Sequence, residues 1–318
     1  MAPASATLLA SAIIAIVAIW GTSFAFMRVA LPTFPPGELS FLRYGIAGAA
    51  LLAIAPWTRP ALPRRGEWPR LLLVAVSGTA LYNYLLTTGL LTVGAGPGSF
   101  INNSIPLFST VFAIVLLGER PGWMVWAGMA ACLAGVACIA VGESATGGVA
   151  PGAMLLVGSA VSYGIYTVVQ KPLLDRHGAA WVVSWSVWIG TALLVPWAPS
   201  AVRLSSEAPI LALSSAGFLG LLTTALGFLL WSWCLRHIPV SRLSPVLYII
   251  PVVSLGTAWV WLGERPTALS LCGCAVVVGG VLLATRILAH GPVLDLRRAL
   301  HTRPRPAPGS GPAPSAGP

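Results

Sequence analysis

Two sets of polar and aromatic residues recur at one spacing inside long apolar runs. Ser99, Asn102, Asn103, Pro106 and Thr110 form the first set; Ser159, Ser162, Tyr163, Tyr166 and Gln170 form the second. Both follow i, i+3, i+4, i+7, i+11, which is one face of a helix. Hydrocarbon offers such groups no partner, so the face must look into a bundle or into water. Amides and hydroxyls arranged this way hold a solute by hydrogen bonds, and the tyrosine rings offer apolar walls. The competing reading is packing, because Ser and Thr in membrane helices often bond across helices. The adjacent Asn102 and Asn103 favour a cavity, since an amide needs several partners.

Four other runs carry similar residues. Thr79, Tyr82 and Asn83 lie in one, and Trp20, Ser23, Phe24 and Met27 in another. Thr223, Gly227 and Trp231 share a third, and Ser241, Ser244, Tyr248 and Pro251 a fourth. Trp20, Tyr82, Tyr163 and Tyr166 fall well inside their runs, which favours a pocket wall over an interfacial aromatic belt. The expected solute-binding set is Trp20, Arg43, Tyr82, Asn83, Asn102, Asn103, Tyr163, Tyr166, Trp231 and Tyr248.

Arg43 is the charge nearest to membrane depth, about five residues into its run, with Glu38 at the mouth. Either the side chain snorkels to the outer surface or it draws an anionic group into the cavity. No acid falls at mid-run in the six runs just described. A carboxylate proton relay has no evident carrier, which points to facilitated movement or coupling through another group. Pro106 and Pro251 sit at matched mid-run positions and are expected to kink their helices, as hinges or as static bends.

Catalytic sets are missing from the sequence. It holds no Gly-rich phosphate loop with its lysine, no HExxH and no GxSxG. The five cysteines (Cys132, Cys138, Cys234, Cys272 and Cys274) lie in or at the edges of apolar runs and read as small packing residues. No cofactor and no metal is expected.

The elements that must position these residues are membrane helices. The chain is 57% hydrophobic and 8% charged, with mean hydropathy +0.86; soluble domains carry about 25% charge. The fold class is all-α integral membrane. Ten apolar spans can be marked at 8–30, 38–56, 70–91, 96–117, 122–141, 152–170, 180–198, 210–235, 242–262 and 267–286, each near the ~20 residues a bilayer demands. The first run is longer than a signal-peptide core and reads as a span. The net charge of +10 sits mainly at span ends, which fits membrane orientation and the lipid bilayer as partner, and no nucleic acid.

One stretch recurs. Leu117-Gly118-Glu119-Arg120-Pro121 returns as Leu262-Gly263-Glu264-Arg265-Pro266, and the same 145-residue offset carries Pro106 onto Pro251 and Ser99 onto Ser244. The chain is therefore two five-span repeats, 8–141 and 152–286, followed by a Pro- and Arg-rich tail, 290–318, expected to be disordered. With the N-terminus inside, 14 of the 18 Lys and Arg residues fall on the inner side, so both termini are expected in the cytoplasm. An odd number of spans per repeat makes the second repeat inverted, the arrangement that supports alternating access. Glu119 and Glu264 are expected to cap and fix their own tight turns. Small residues in spans 5 and 10 (Ala127 to Ala131, Gly135, Gly273, Gly279 and Gly280) suit close packing, between the halves or in a homodimer.

The doubled Leu-Gly-Glu-Arg-Pro turn, Trp20-Gly21-Thr22-Ser23-Phe24 and Leu42-Arg43-Tyr44 resemble the EamA family of the drug/metabolite transporter superfamily. The resemblance covers about residues 8–286. It implies ten helices in two inverted repeats, with a central cavity lined by spans 1, 3, 4, 6, 8 and 9. It also implies a secondary transporter, mostly an exporter of amino acids, related metabolites or drugs, with import as the alternative. The halves are not equivalent: Ser186 or Trp188 stands where Arg43 maps, and Tyr163 stands near where Trp20 maps. A scaffold, a membrane enzyme and a channel are the other classes. The first two lack a supporting cluster, and a channel needs no exchange of access.

Overall fold

The structure, a computed structural model, describes residues 5–92, 101–143, 152–262 and 267–285. Ser99, the linker 144–151, the repeated turn at 263–266 and the tail lie outside the described residues. The described residues form ten apolar helical segments. In the first repeat these are α1 (Ala6–Ala30), α2 (Pro36–Thr58), α3 (Arg65–Gly89), α4 (Ile105–Leu117) and α5 (Trp123–Glu143). In the second they are α6 (Gly152–His177), α7 (Ala179–Leu193), α8 (Ile210–His237), α9 (Val240–Trp261) and α10 (Ala268–Thr285).

Span 7 differs from expectation. It bends by 53° after Leu193 and continues to Glu207, instead of running straight to residue 198. Pro196 sits at the break, where its missing N–H and fixed φ favour a new helical start. The proline expectation also changes. Pro106 falls in the first turn of α4, after a break at Asn103 and Ser104. Pro251 is the second residue of the regular helix that follows the 3-10 stretch Ser244–Ile249. At Pro106 the missing N–H falls in a first helical turn and costs nothing, while at Pro251 the continuous span Val240–Trp261 changes from 3-10 to α-helix.

Helix pairing reveals the repeat. The small residues of α5 and α10 face each other between the halves. A Cβ on Gly128 would lie 2.5 Å from Ala284 N, one on Gly280 2.8 Å from Cys132 N, and one on Gly135 2.8 Å from Val277 N. As one number rises its partner falls, so the two helices are antiparallel. The same holds for α2 and α7: Thr191 donates to Tyr44 O at 3.0 Å and Trp188 to Gly48 O at 3.0 Å. Equivalent helices that run antiparallel make the second repeat the inverse of the first. The pairings between non-equivalent helices agree, because α4 on α6 is matched by α9 on α1.

Both α3 and α8 contain a π-helical stretch, at Val76–Ala80 and Leu219–Leu226. Thr79-Ala80-Leu81, at the end of the first, recurs as Thr224-Ala225-Leu226 of the second, again 145 residues on. π-bulges often mark functional sites, because they leave backbone groups open to side chains. Trp20 uses one here, donating its indole N–H to Thr223 O at 3.0 Å.

Candidate functional site

A partly open cavity lies between the halves. Its lining comes from α1, α2, α3, α6, α8 and α9 and from the start of the α4 region. Six of the expected residues line it: Trp20, Arg43, Tyr82, Asn102, Asn103 and Tyr163. Ser23, Phe24, Met27, Thr223 and Phe228 also line it.

The aromatic wall is continuous. Trp20 meets Tyr163 edge to face with centroids 6.1 Å apart, and Tyr82 lies 4.7 Å from Tyr163. Asn102 accepts from Ser159 at 3.1 Å, tying the α4 region to α6. The hydroxyls of Tyr163 and Thr223 are buried without a protein partner, a costly arrangement unless a solute or water meets them.

Four expected residues stand behind the wall. Asn83 is fully buried, accepts from Arg43 at 2.8 Å and donates to Ser40 at 2.6 Å. Tyr166 packs on Tyr163 and Phe228. Trp231 packs on Trp20 at 5.5 Å. Tyr248 belongs to a separate apolar cluster with Met129, Cys132 and Val277 of α5 and α10. A polar face at helical spacing turns away from lipid, but the spacing does not distinguish a cavity from a neighbouring helix.

Arg43 does not snorkel. Its side chain is 4% exposed and turned inward, where Nε donates to Thr224 Oγ1 at 2.6 Å and one Nη to Asn83 at 2.8 Å. Both partners are neutral. Thr224 was not among the expected residues. It sits in the π-stretch, and its recurrence 145 residues after Thr79 is the sequence signal that marks it.

The cavity is displaced toward one end of the bundle. It touches the later halves of α1 and α3 and the starts of α2 and the α4 region. The opposite end is tied shut across the halves. Glu119, just beyond α4, accepts from Val240 N and Ser241 N at 2.9 Å and from the Ser241 hydroxyl at 2.6 Å. Glu119 therefore caps α9 of the other repeat, while Gly118 at φ 67° makes the turn itself. This corrects the expectation that Glu119 caps its own turn. The orphan N–H groups of a helix start attract a carboxylate, which explains the reach. Within the second half, Lys171, near the end of α6, donates to Leu235 O and Ile238 O at the end of α8, at 2.6 and 3.3 Å. His177 meets Glu67 at 2.7 Å.

Ten helices in two inverted repeats around a central polar and aromatic cavity define a helical membrane carrier of the inverted-repeat class. The chain belongs to the EamA-like transporter family, whose profile matches residues 7–141 and again 150–286. A relative from Streptantibioticus cattleyicolor, named "Probable terminal-alkyne amino-acid exporter", is 36% identical over 86% of this chain and 92% of its own. "Uncharacterized transporter YdfC" of Bacillus subtilis is 31% identical over 83% of this chain and 87% of its own. "Probable amino-acid metabolite efflux pump" of Escherichia coli is 24% identical over 84% and 91%. A solved crystal structure superposes with a TM-score of 0.71 at 22% identity, covering 93% of this chain and 99% of the other, and supports the fold. The protein is a multi-pass membrane transporter of small solutes.

Proposed function

We propose that this transporter is a secondary carrier that exports small amphipathic, amino-acid-like solutes by alternating access, with both termini in the cytoplasm. The observation that carries the reading is the asymmetry of the bundle: a polar and aromatic cavity toward one end, and bonds between the halves at the other. In the proposed orientation the tied end is cytoplasmic, and the cavity faces outward. Repeats 8–141 and 152–286 exchange conformations to open the other side. The names of two relatives support export of amino-acid-type solutes.

Trp20, Tyr82 and Tyr163 hold the apolar body of the solute, while Asn102, Asn103 and Arg43 hold its polar end. Asn83, Tyr166, Trp231 and Tyr248 support that wall, and Pro106 and Pro251 mark where the α4 and α9 regions flex. The test is solute flux in proteoliposomes, with and without a pH gradient. Asn103→Ala and Tyr82→Ala should each lower flux about tenfold or more at unchanged protein level, each removing one polar or stacking contact. Wild-type flux in both variants would remove these residues from the site.

A further inference from the structure

We infer that the solute is recognised by its carboxylate, through Arg43, and that an ammonium group is not required. This rests on the transport reading above and specifies the chemistry of the same cavity.

Arg43 is buried, lines the cavity and is held by two neutral groups, Thr224 and Asn83. The guanidinium has five N–H donors in a planar fork suited to a carboxylate. Its bonds to Thr224 and Asn83 orient the group without neutralising it. No Asp or Glu lies among the cavity-lining residues. Glu38, five residues before Arg43 on α2, accepts from Ser200 at 2.9 Å, while Glu67 and Glu119 are held at the tied end by His177 and the start of α9. A buried charge without a counter-ion among the described residues is costly to keep, and an anionic solute would supply that partner.

The repeat sharpens the point. Trp188 lies 145 residues after Arg43, so the second half places no cation at the matching position. The positive field is one-sided. An ammonium entering the cavity would meet this charge and no carboxylate. Its compensation would be the aromatic faces of Trp20, Tyr82 and Tyr163 and neutral hydroxyl and amide oxygens, worth less than an ion pair. The substrate class that fits is a small organic acid with an apolar or aromatic body, with or without an amino group.

The experiment measures binding to the full-length protein in detergent by ligand-dependent thermal shift, using two series of probes. One is phenylalanine, 3-phenylpropionate, phenethylamine and phenylalaninamide. The other is leucine, 4-methylpentanoate, isopentylamine and leucinamide. In at least one series the acid and the amino acid should bind within a few-fold of each other. The amine and the amide should bind about 10- to 100-fold more weakly, the span expected for one charge-assisted pair.

Arg43→Gln should collapse that ratio toward one. Arg43→Lys should keep part of it, because lysine preserves the charge and loses the fork. If Arg43→Gln does not fold, the wild-type ratios and the lysine variant still decide. Amines or amides binding as well as acids would overturn the inference while leaving transport intact. Binding by no probe in either series would overturn solute binding at this cavity, and this inference with it.

Discussion

Trp20 and Tyr163 occupy equivalent places in the two repeats, and their rings touch at 87° where the halves meet. The following glycines are matched as well. A Cβ on Gly21 would lie 2.5 Å from Val253 of α9, and one on Gly164 would lie 3.0 Å from Phe108 of α4. Val253 stands 145 residues after Phe108. The two sides of the cavity are thus built by one contact used twice, with an indole on one side and a phenol on the other. The divergence puts a hydroxyl without a protein partner at the centre.

Tyr163→Phe tests that hydroxyl. Removing a buried group with no protein partner should leave thermal stability unchanged or slightly raised. Solute affinity should fall about 3- to 10-fold, the loss expected for one neutral hydrogen bond. Titration of the purified protein before and after the change checks both outcomes. Unchanged affinity would mean that the solute does not reach Tyr163.

Asn83→Asp places a carboxylate where the amide oxygen now accepts from Arg43 at 2.8 Å. The guanidinium gains an internal counter-ion, and Ser40 can turn its hydroxyl to the new oxygen. The expected result is a higher Tm, by about 2–4 °C for each kcal/mol recovered. Affinity for carboxylate probes should fall by roughly tenfold in the same variant, because the positive field is already answered. Opposed changes in stability and binding are the signature. A fall in both would point to a folding defect.

Glu119→Ala removes three hydrogen bonds that join α4 to the start of α9. Bonds to a charged group contribute about 1.5–3 kcal/mol each, so the tied end should open more often. Cys234, fully buried one residue before Leu235, is a built-in reporter. With the other four cysteines changed to serine, its alkylation by N-ethylmaleimide should quicken at least about tenfold. Equal rates in Glu119→Ala and its parent would show that this bond does not hold the end closed.

Gly128→Leu tests the seam between α5 and α10. The new Cβ would fall 2.5 Å from backbone atoms of both Gly280 and Ala284, which cannot rotate away. Overpacking of this kind costs about 1–3 kcal/mol or more. A lower Tm, read by light scattering on heating, is expected. Gly279→Leu on the same seam helix has open space within 4 Å and should be tolerated.

Much of this was legible in the sequence, for identifiable reasons. Low charge and long apolar runs leave only membrane helices, and a doubled turn with matched prolines shows the repeat. Helical spacing turned Asn102, Asn103 and Tyr163 away from lipid and toward the cavity. It could not separate them from Tyr248, whose ring packs on α5 and α10, because spacing reports a face and not its neighbour. The orientation of Arg43 depended on partners 40 and 181 residues away, and Glu119 reached 121 residues forward to Val240. The π-stretches left one trace, the recurring Thr-Ala-Leu, which becomes readable once its partner Arg43 is in view.

The lone guanidinium also has an electrical consequence. Arginine stays charged inside proteins, so an empty carrier that turns over moves a positive charge through part of the bilayer. One that carries a carboxylate moves almost none. Across a full membrane a single charge feels about 2.3 kcal/mol per 100 mV. Voltage would then act on the return of the unloaded protein and hardly on the loaded step, and transient currents on a solid-supported membrane should shrink when an acid is added.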